Sequence, residues 1–237
     1  MQTLVQLVFP PRCLSCGGLV ETDFGLCGDC WHQTRFVTGL ACDLCGVPLA
    51  GDSSGVEHCD ECLTIARPWT HGRAALVYKD VGRRLVLALK HGDRQDIAKP
   101  AAQWMARVTR PIAQPDMLVV PVPLHLHRHL ARRYNQSALL ARALASQLGL
   151  DWCPDALERR QATPSLDGKT RAQRFETLAG RITVPDLRTS LIAGRPVLIV
   201  DDVMTTGATL AASSDACLAA GATEVCISVL ARVAQED

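Results

Sequence analysis

Four Cys-x-x-Cys pairs open the sequence: Cys13/Cys16, Cys27/Cys30, Cys42/Cys45 and Cys59/Cys62. Each pair supplies two thiolates from one tight turn, and two such knuckles complete the tetrahedral sulfur shell that Zn²⁺ takes. Read in order they make two four-cysteine sets, with 10 and 13 residues between the paired knuckles. The pattern predicts two Zn²⁺ ions; an iron–sulfur cluster or a redox-active dithiol is the alternative chemistry for the same residues. With four protein ligands per ion the expected role is structural, because no coordination position is left for water or substrate. Such a metal contributes folding free energy that a segment of about 60 residues cannot draw from its own core. His58, beside Cys59, is the alternative donor, whereas Cys153, Cys217 and Cys226 sit in apolar contexts and read as buried small hydrophobes.

A second chemical signal is Val197-Leu-Ile-Val-Asp201-Asp202-Val-Met204-Thr205-Thr206-Gly207-Ala208-Thr209. An apolar strand ends in two carboxylates, and a turn rich in hydroxyl side chains then opens a helix. In parallel α/β folds ligands bind at the carboxyl ends of strands. Free N–H groups from about Met204 to Thr209, the threonine hydroxyls and a helix N-terminus together form an anion cradle suited to a monophosphate. Asp201 and Asp202 are placed to accept from sugar hydroxyls or to hold Mg²⁺. A Walker B strand has the same apolar-then-acid texture, but its partner loop is missing. Gly168-Lys169-Thr170 has Thr163 where the first glycine belongs, and no apolar strand precedes it.

These groups must be carried by a chain of 237 residues, enough for one large or two smaller domains, with 48% hydrophobic residues to fill a core. No apolar stretch approaches the roughly 18 residues of a membrane span, and the start lacks the basic and small-residue signature of a secretory signal. The expectation is a cytoplasmic protein, where cysteines serve metals more than disulfides. The net charge of +1 conceals a split: residues 1–63 hold two basic and eight acidic side chains, and residues 71–174 hold 18 basic against 8 acidic. Phosphate chemistry is therefore expected in the second region. Half of the aromatics (Phe9, Phe24, Trp31, Phe36, Trp69) lie in or beside the cysteine module. They read either as a stacking surface for single-stranded nucleic acid or as the module's core, and its acidic balance favours the core.

A loop-rich metal module is placed at 1–66 and a second domain at 70–237. There, strands are predicted at 73–78, 117–122, 197–200 and 225–230. Helices are predicted at 81–91 with Asp80 as N-cap, at 135–148 ended by Gly149, and at 209–220 ended by Gly221. Residues 160–174 read as a loop running into a short helix. Strands alternating with helices imply a doubly wound, mainly parallel α/β sheet. His125, His127 and His129 have no carboxylate near them in sequence and read as a polar loop.

The 197–209 stretch resembles the phosphoribosyl pyrophosphate (PRPP) signature of type I phosphoribosyltransferases, and its combination with a double zinc ribbon resembles the ComF family of competence-related bacterial proteins. In that family the acidic pair is similar to one that meets the ribose hydroxyls of PRPP, and the threonine-rich turn to one that holds its 5-phosphate. Lys90 resembles a lysine after the first helix, and Val120-Pro-Val-Pro123 the turn facing pyrophosphate. Arg132-Arg133-Tyr134-Asn135-Gln136 resembles an Arg-Gly-Phe-Asn-Gln element, and Thr163 and Arg174 a mobile active-site loop. Departures fall in this loop, at Leu166, Lys169 and Thr177. The resemblance implies Mg²⁺-dependent displacement of pyrophosphate from PRPP by an unidentified acceptor, with Lys90, Arg132 and Arg174 as catalytic residues. Asp201, Asp202, Met204, Thr205, Thr206, Gly207, Ala208 and Thr209 would bind PRPP. The alternative is a PRPP or nucleotide sensor, or an adaptor, that handles single-stranded DNA with DNA-uptake partners.

Overall fold

A computed structural model describes residues 9–22, 25–124, 134–159, 173 and 180–234. Its centre is a four-stranded parallel sheet in the order β1 (His71–Val77), β6 (Glu224–Arg232), β5 (Pro196–Met204), β2 (Leu118–Pro121). Val197 to Val200 are fully buried, as expected for a strand covered on both faces. One face carries α3 (Asp80–His91), α4 (Ala98–Thr109) and α5 (Gln136–Leu148). The other carries α7 (Ala208–Ala219), α6 (Asp186–Ile192) and a short antiparallel pair, β3 (Glu158–Arg159) with β4 (Ile182–Thr183). The sheet is thus wound on both sides as the alternating pattern implies.

Helix α6, the β3–β4 pair and three further details depart from the sequence reading. Strand β5 does not stop at Val200 but runs through the acidic pair to Met204, paired with β6 throughout. Asp80 is the first helical residue of α3 with φ +46°, not its cap, and faces Arg35 at 3.8 Å. Helix α4 was not predicted. Its core side is mostly alanine, Ala98, Ala101, Ala102 and Ala106 with Met105, and Pro100 sits in the first turn, where a missing N–H is harmless.

The cysteine module contains two matching units. Each has one bridged turn, Arg12 with Leu19 or Ala41 with Pro48, and a one-turn helix at its second knuckle, α1 (Gly28–His32) or α2 (Asp60–Thr64). The linker between the units runs antiparallel along β1: Val37 N–H donates to the Ala75 carbonyl at 2.9 Å and Val77 N–H to the Arg35 carbonyl at 2.8 Å. This covers the open edge of the sheet. The first unit packs against α3 and α4 through Cys13, Leu14 and Cys30. The second joins the opposite core through Cys42, Cys45, Cys62 and Trp69. Phe36 lies 4.5 Å from Trp31 and 5.5 Å from Trp104 of α4, so these aromatics form a seam between module and sheet.

Candidate functional site

All strands of the sheet are parallel, so their carboxyl ends share one edge, and the acidic pair stands there. Asp202 is 4% exposed; one carboxylate oxygen meets Lys90 Nζ, at the end of α3, at 3.1 Å. Its other oxygen, Oδ2, is buried and has no hydrogen-bond partner among the described residues. Asp201 Oδ1 accepts from Ser137 Oγ at 2.7 Å and from the Asp202 N–H at 2.9 Å. Burial and the neighbouring Asp202 charge push the Asp201 carboxyl up to about 7, against the lowering effects of Ser137 and Lys90. Two carboxylates beside one lysine, with an orphan acceptor, form a site that gains from an added cation or hydroxyl donor. That orphan oxygen is the observation that fits Mg²⁺ or a sugar hydroxyl.

The turn after β5 encloses a cavity of about 40 Å³ lined by Asp201 and by Val203 through Leu210. Gly207 has φ +81° and precedes the first residue of α7, whose N-terminal N–H groups therefore open on the cavity's lining. A Cβ at Gly207 would fall 2.8 Å from Met204 Cε and 2.9 Å from Arg67 Nη1, so no other residue fits this position unstrained. Thr206 Oγ1 accepts from the Ala208 N–H at 3.4 Å. Asn135 fastens the adjoining Val120–Pro123 turn: its Nδ2 donates to the Val122 carbonyl at 3.1 Å, while its Oδ1 caps α5 by accepting from the Ser137 and Ala138 N–H groups.

Behind the turn lie two buried arginines that sequence reasoning did not single out. Arg67 Nη1 donates to the Thr206 carbonyl at 2.9 Å, and Arg232 Nη1 to the Thr205 carbonyl at 2.6 Å and the Met204 carbonyl at 3.3 Å. Both also pair with the same carboxylate, Glu61 of α2, at 2.8 Å and 2.7 Å. One signal was legible for Arg232, a single charge ending the apolar run Val225 to Ala231. Ser137 and Glu61 carried none.

Structure thus brings together Lys90, Asp201, Asp202 and the 204–209 turn. Arg132, Arg133, Thr163, Leu166, Lys169, Arg174, Thr177, Phe24 and the three histidines at 125, 127 and 129 lie outside the described residues.

At each four-cysteine set the sulfur atoms lie within 4.8 Å of one another. Cys16 to Cys27 and Cys45 to Cys59 are both 3.7 Å apart, matching the roughly 3.8 Å tetrahedral edge that Zn–S bonds of about 2.3 Å generate. Both clusters fit structural zinc ribbons. Cys217 and Cys226 are fully buried, with thiols pushed up to about 12 and about 11 chiefly by burial, as core residues should be.

Residues 4–63 match the double zinc ribbon domain, and residues 135–237 the phosphoribosyl transferase domain. The chain is 33% identical over 236 residues to the DNA utilization protein YhgH of Salmonella typhimurium, covering 95% of this chain and 99% of that protein. It is 27% identical over 228 residues to competence protein F of Haemophilus influenzae, covering 93% and 96%. Among solved structures, the glutamine PRPP amidotransferase from B. subtilis complexed with ADP and GMP aligns with TM-score 0.40 and 16% identity, covering 60% of this chain and 30% of that one. Ribbon, sheet, acidic turn and near full-length relatives agree, and the chain belongs to the ComF family, a double zinc ribbon followed by a phosphoribosyltransferase domain.

Proposed function

We propose that the chain binds PRPP with Mg²⁺ at the 201–209 turn and transfers its phosphoribosyl group to a nucleophilic acceptor, in the cytoplasm and in the service of DNA use or uptake. The observation that carries the reading is the acidic pair, half-buried Asp201 and buried Asp202, the latter's Oδ2 without a partner among the described residues, next to an amide-lined cavity at the end of β5. Asp201 and Asp202 accept from the ribose hydroxyls, and Asp202 is the candidate Mg²⁺ holder. Mg²⁺, when bound, neutralises charge on the pyrophosphate. The turn amides, Thr205, Thr206 and Thr209 take the 5-phosphate. In the transfer, the bond from C1 to the pyrophosphate oxygen breaks with its electron pair, and an acceptor lone pair forms the new bond at C1 as the acceptor gives up a proton. Lys90, with Arg132 and Arg174 as further candidates, stabilises the leaving charge without a covalent intermediate.

The names of the relatives, DNA utilization protein and competence protein F, support the link to DNA. Leu166, Lys169 and Thr177, where the loop departs from the family pattern, favour a second reading in which PRPP is sensed and not consumed. Calorimetry with PRPP and Mg²⁺, then pyrophosphate release across candidate acceptors, separates the two. Binding with turnover supports transfer, binding without turnover supports sensing, and no binding removes both. Asp202→Asn is expected to weaken PRPP binding at least a hundredfold.

A further inference from the structure

The second zinc unit reaches the turn through a continuous polar chain. Glu61 lies between Cys59 and Cys62 on α2, and its two carboxylate oxygens each hold one guanidinium, Arg67 at 2.8 Å and Arg232 at 2.7 Å. The arginine side chains are 1% and 3% exposed, so neither pair is a screened surface contact. Each arginine spends its other terminal nitrogen on the backbone of the turn: Arg67 on the Thr206 carbonyl, Arg232 on the carbonyls of Thr205 and Met204. The same two arginines face the Cys62 and Cys45 thiols. Trp69 closes the assembly, with Arg67 over its ring at 5.3 Å and its indole N–H on the Leu44 carbonyl at 2.6 Å.

Peptide geometry turns this clamp into a statement about the ligand side. In a trans peptide the carbonyl of one residue and the N–H of the next point in opposite directions. Drawing the carbonyls of Met204, Thr205 and Thr206 toward the arginines therefore aims the N–H groups of Thr205, Thr206 and Gly207 the other way, and these three residues line the cavity. Two fixed positive charges also stand behind a turn meant for an anion. Neither effect requires the arginines to touch the ligand.

We propose that the second zinc unit is a working part of the anion site: Glu61, Arg67 and Arg232 are positioning residues that hold the Thr205–Gly207 amides toward a phosphate, so the metal state of Cys42, Cys45, Cys59 and Cys62 sets the turn's phosphate affinity. This rests on reading the turn as the 5-phosphate cradle of PRPP. By linkage the coupling is reciprocal, and a phosphate ligand in the turn slows loss of the second zinc.

The test uses the full zinc-loaded chain and the variants Glu61→Gln, which keeps the shape and removes the charge, and Arg67→Lys, which keeps the charge and loses the fork. Hydrogen exchange of the turn amides, zinc content and calorimetric affinity for PRPP with Mg²⁺ and for ribose 5-phosphate are measured on each. With two zinc ions retained, turn exchange is expected to rise at least tenfold, and affinity to fall at least tenfold by the same factor for both ligands. Cys59→Ser, which disables only the second metal site, is expected to reproduce the faster turn exchange. Unchanged turn exchange in both variants would overturn the clamp whether or not PRPP binds. If the wild type binds neither ligand while turn exchange responds as expected, the clamp stands and the PRPP reading fails.

Discussion

Asp201 and Asp202 are neighbours with different surroundings, and the difference gives each a measurable signature. Asp202 has a lysine; Asp201 has a serine hydroxyl and a backbone N–H, and its carboxyl is pushed up to about 7 by burial and by Asp202. In the unfolded chain a carboxyl titrates near 4. Between those values the folded state holds a proton that the unfolded state has released, so stability falls as pH rises from about 4 to about 7 and the full penalty applies above that. One such group contributes a slope of at most about 1.4 kcal/mol per pH unit. Asp201→Asn is expected to flatten that part of the ligand-free stability profile and to be more stable than wild type at pH 8, read from urea unfolding at pH 5 to 8. An unchanged slope would show that Asp201 is not the carboxyl that holds the proton. At this scale the ligands and the acidic turn were legible because they are contiguous or evenly spaced. Arg67, Arg232 and Ser137 were not, because each acts on a partner far away in sequence, Thr206 for Arg67, Glu61 for Arg232 and Asp201 for Ser137.

Elements became legible where apolar periodicity was strong and capping was local. Helix α5 begins one residue after its expected start, with Asn135 as its cap, and ends at a left-handed Gly149, whereas α4 was missed because alanines carry its buried stripe. The Asn135 cap also positions the Val120–Pro123 turn, so its two functions can be separated by chemistry. Asn135→Ala loses both and should cost about 1–2 kcal/mol, while Asn135→Asp keeps the cap acceptor and should recover roughly half, both measured by urea unfolding. The two ribbon units, alike in sequence spacing, differ in burial. Cys16 is exposed and Cys27 half-buried in the first, but only Cys59 is other than buried in the second. A chromogenic chelator is expected to draw zinc in two equal phases at least tenfold apart in rate, with the fast phase absent from Cys16→Ser. A single phase, or a fast phase surviving that substitution, would place the lability elsewhere.

At the scale of the whole molecule, the charge split and the composition change near residue 67 read as two pieces, yet burial crosses that line in both directions. Cys13, Leu14 and Cys30 belong to the core of Leu85, Leu89 and Met105, and Cys42, Cys45 and Trp69 to that of Ile199, Leu210 and Val229. The ribbon units straddle the β1 edge, and their linker is hydrogen-bonded along it. A sequence cannot display this, because the contacts join segments that each look complete. Shared cores imply shared unfolding: the zinc-loaded chain should give one calorimetric transition, and chelation should lower its midpoint without splitting it. Gly72 probes the junction, since a Cβ there would collide with the Leu44 carbonyl oxygen, a backbone atom of the second zinc unit. Gly72→Ala is expected to cost about 1–3 kcal/mol and, at roughly 2–4 °C per kcal/mol, to shift the single transition downward while also speeding loss of the slower zinc. Two separate transitions in the wild type, with Gly72→Ala moving only one, would mean that the ribbon folds on its own and that the edge contacts carry no cooperativity.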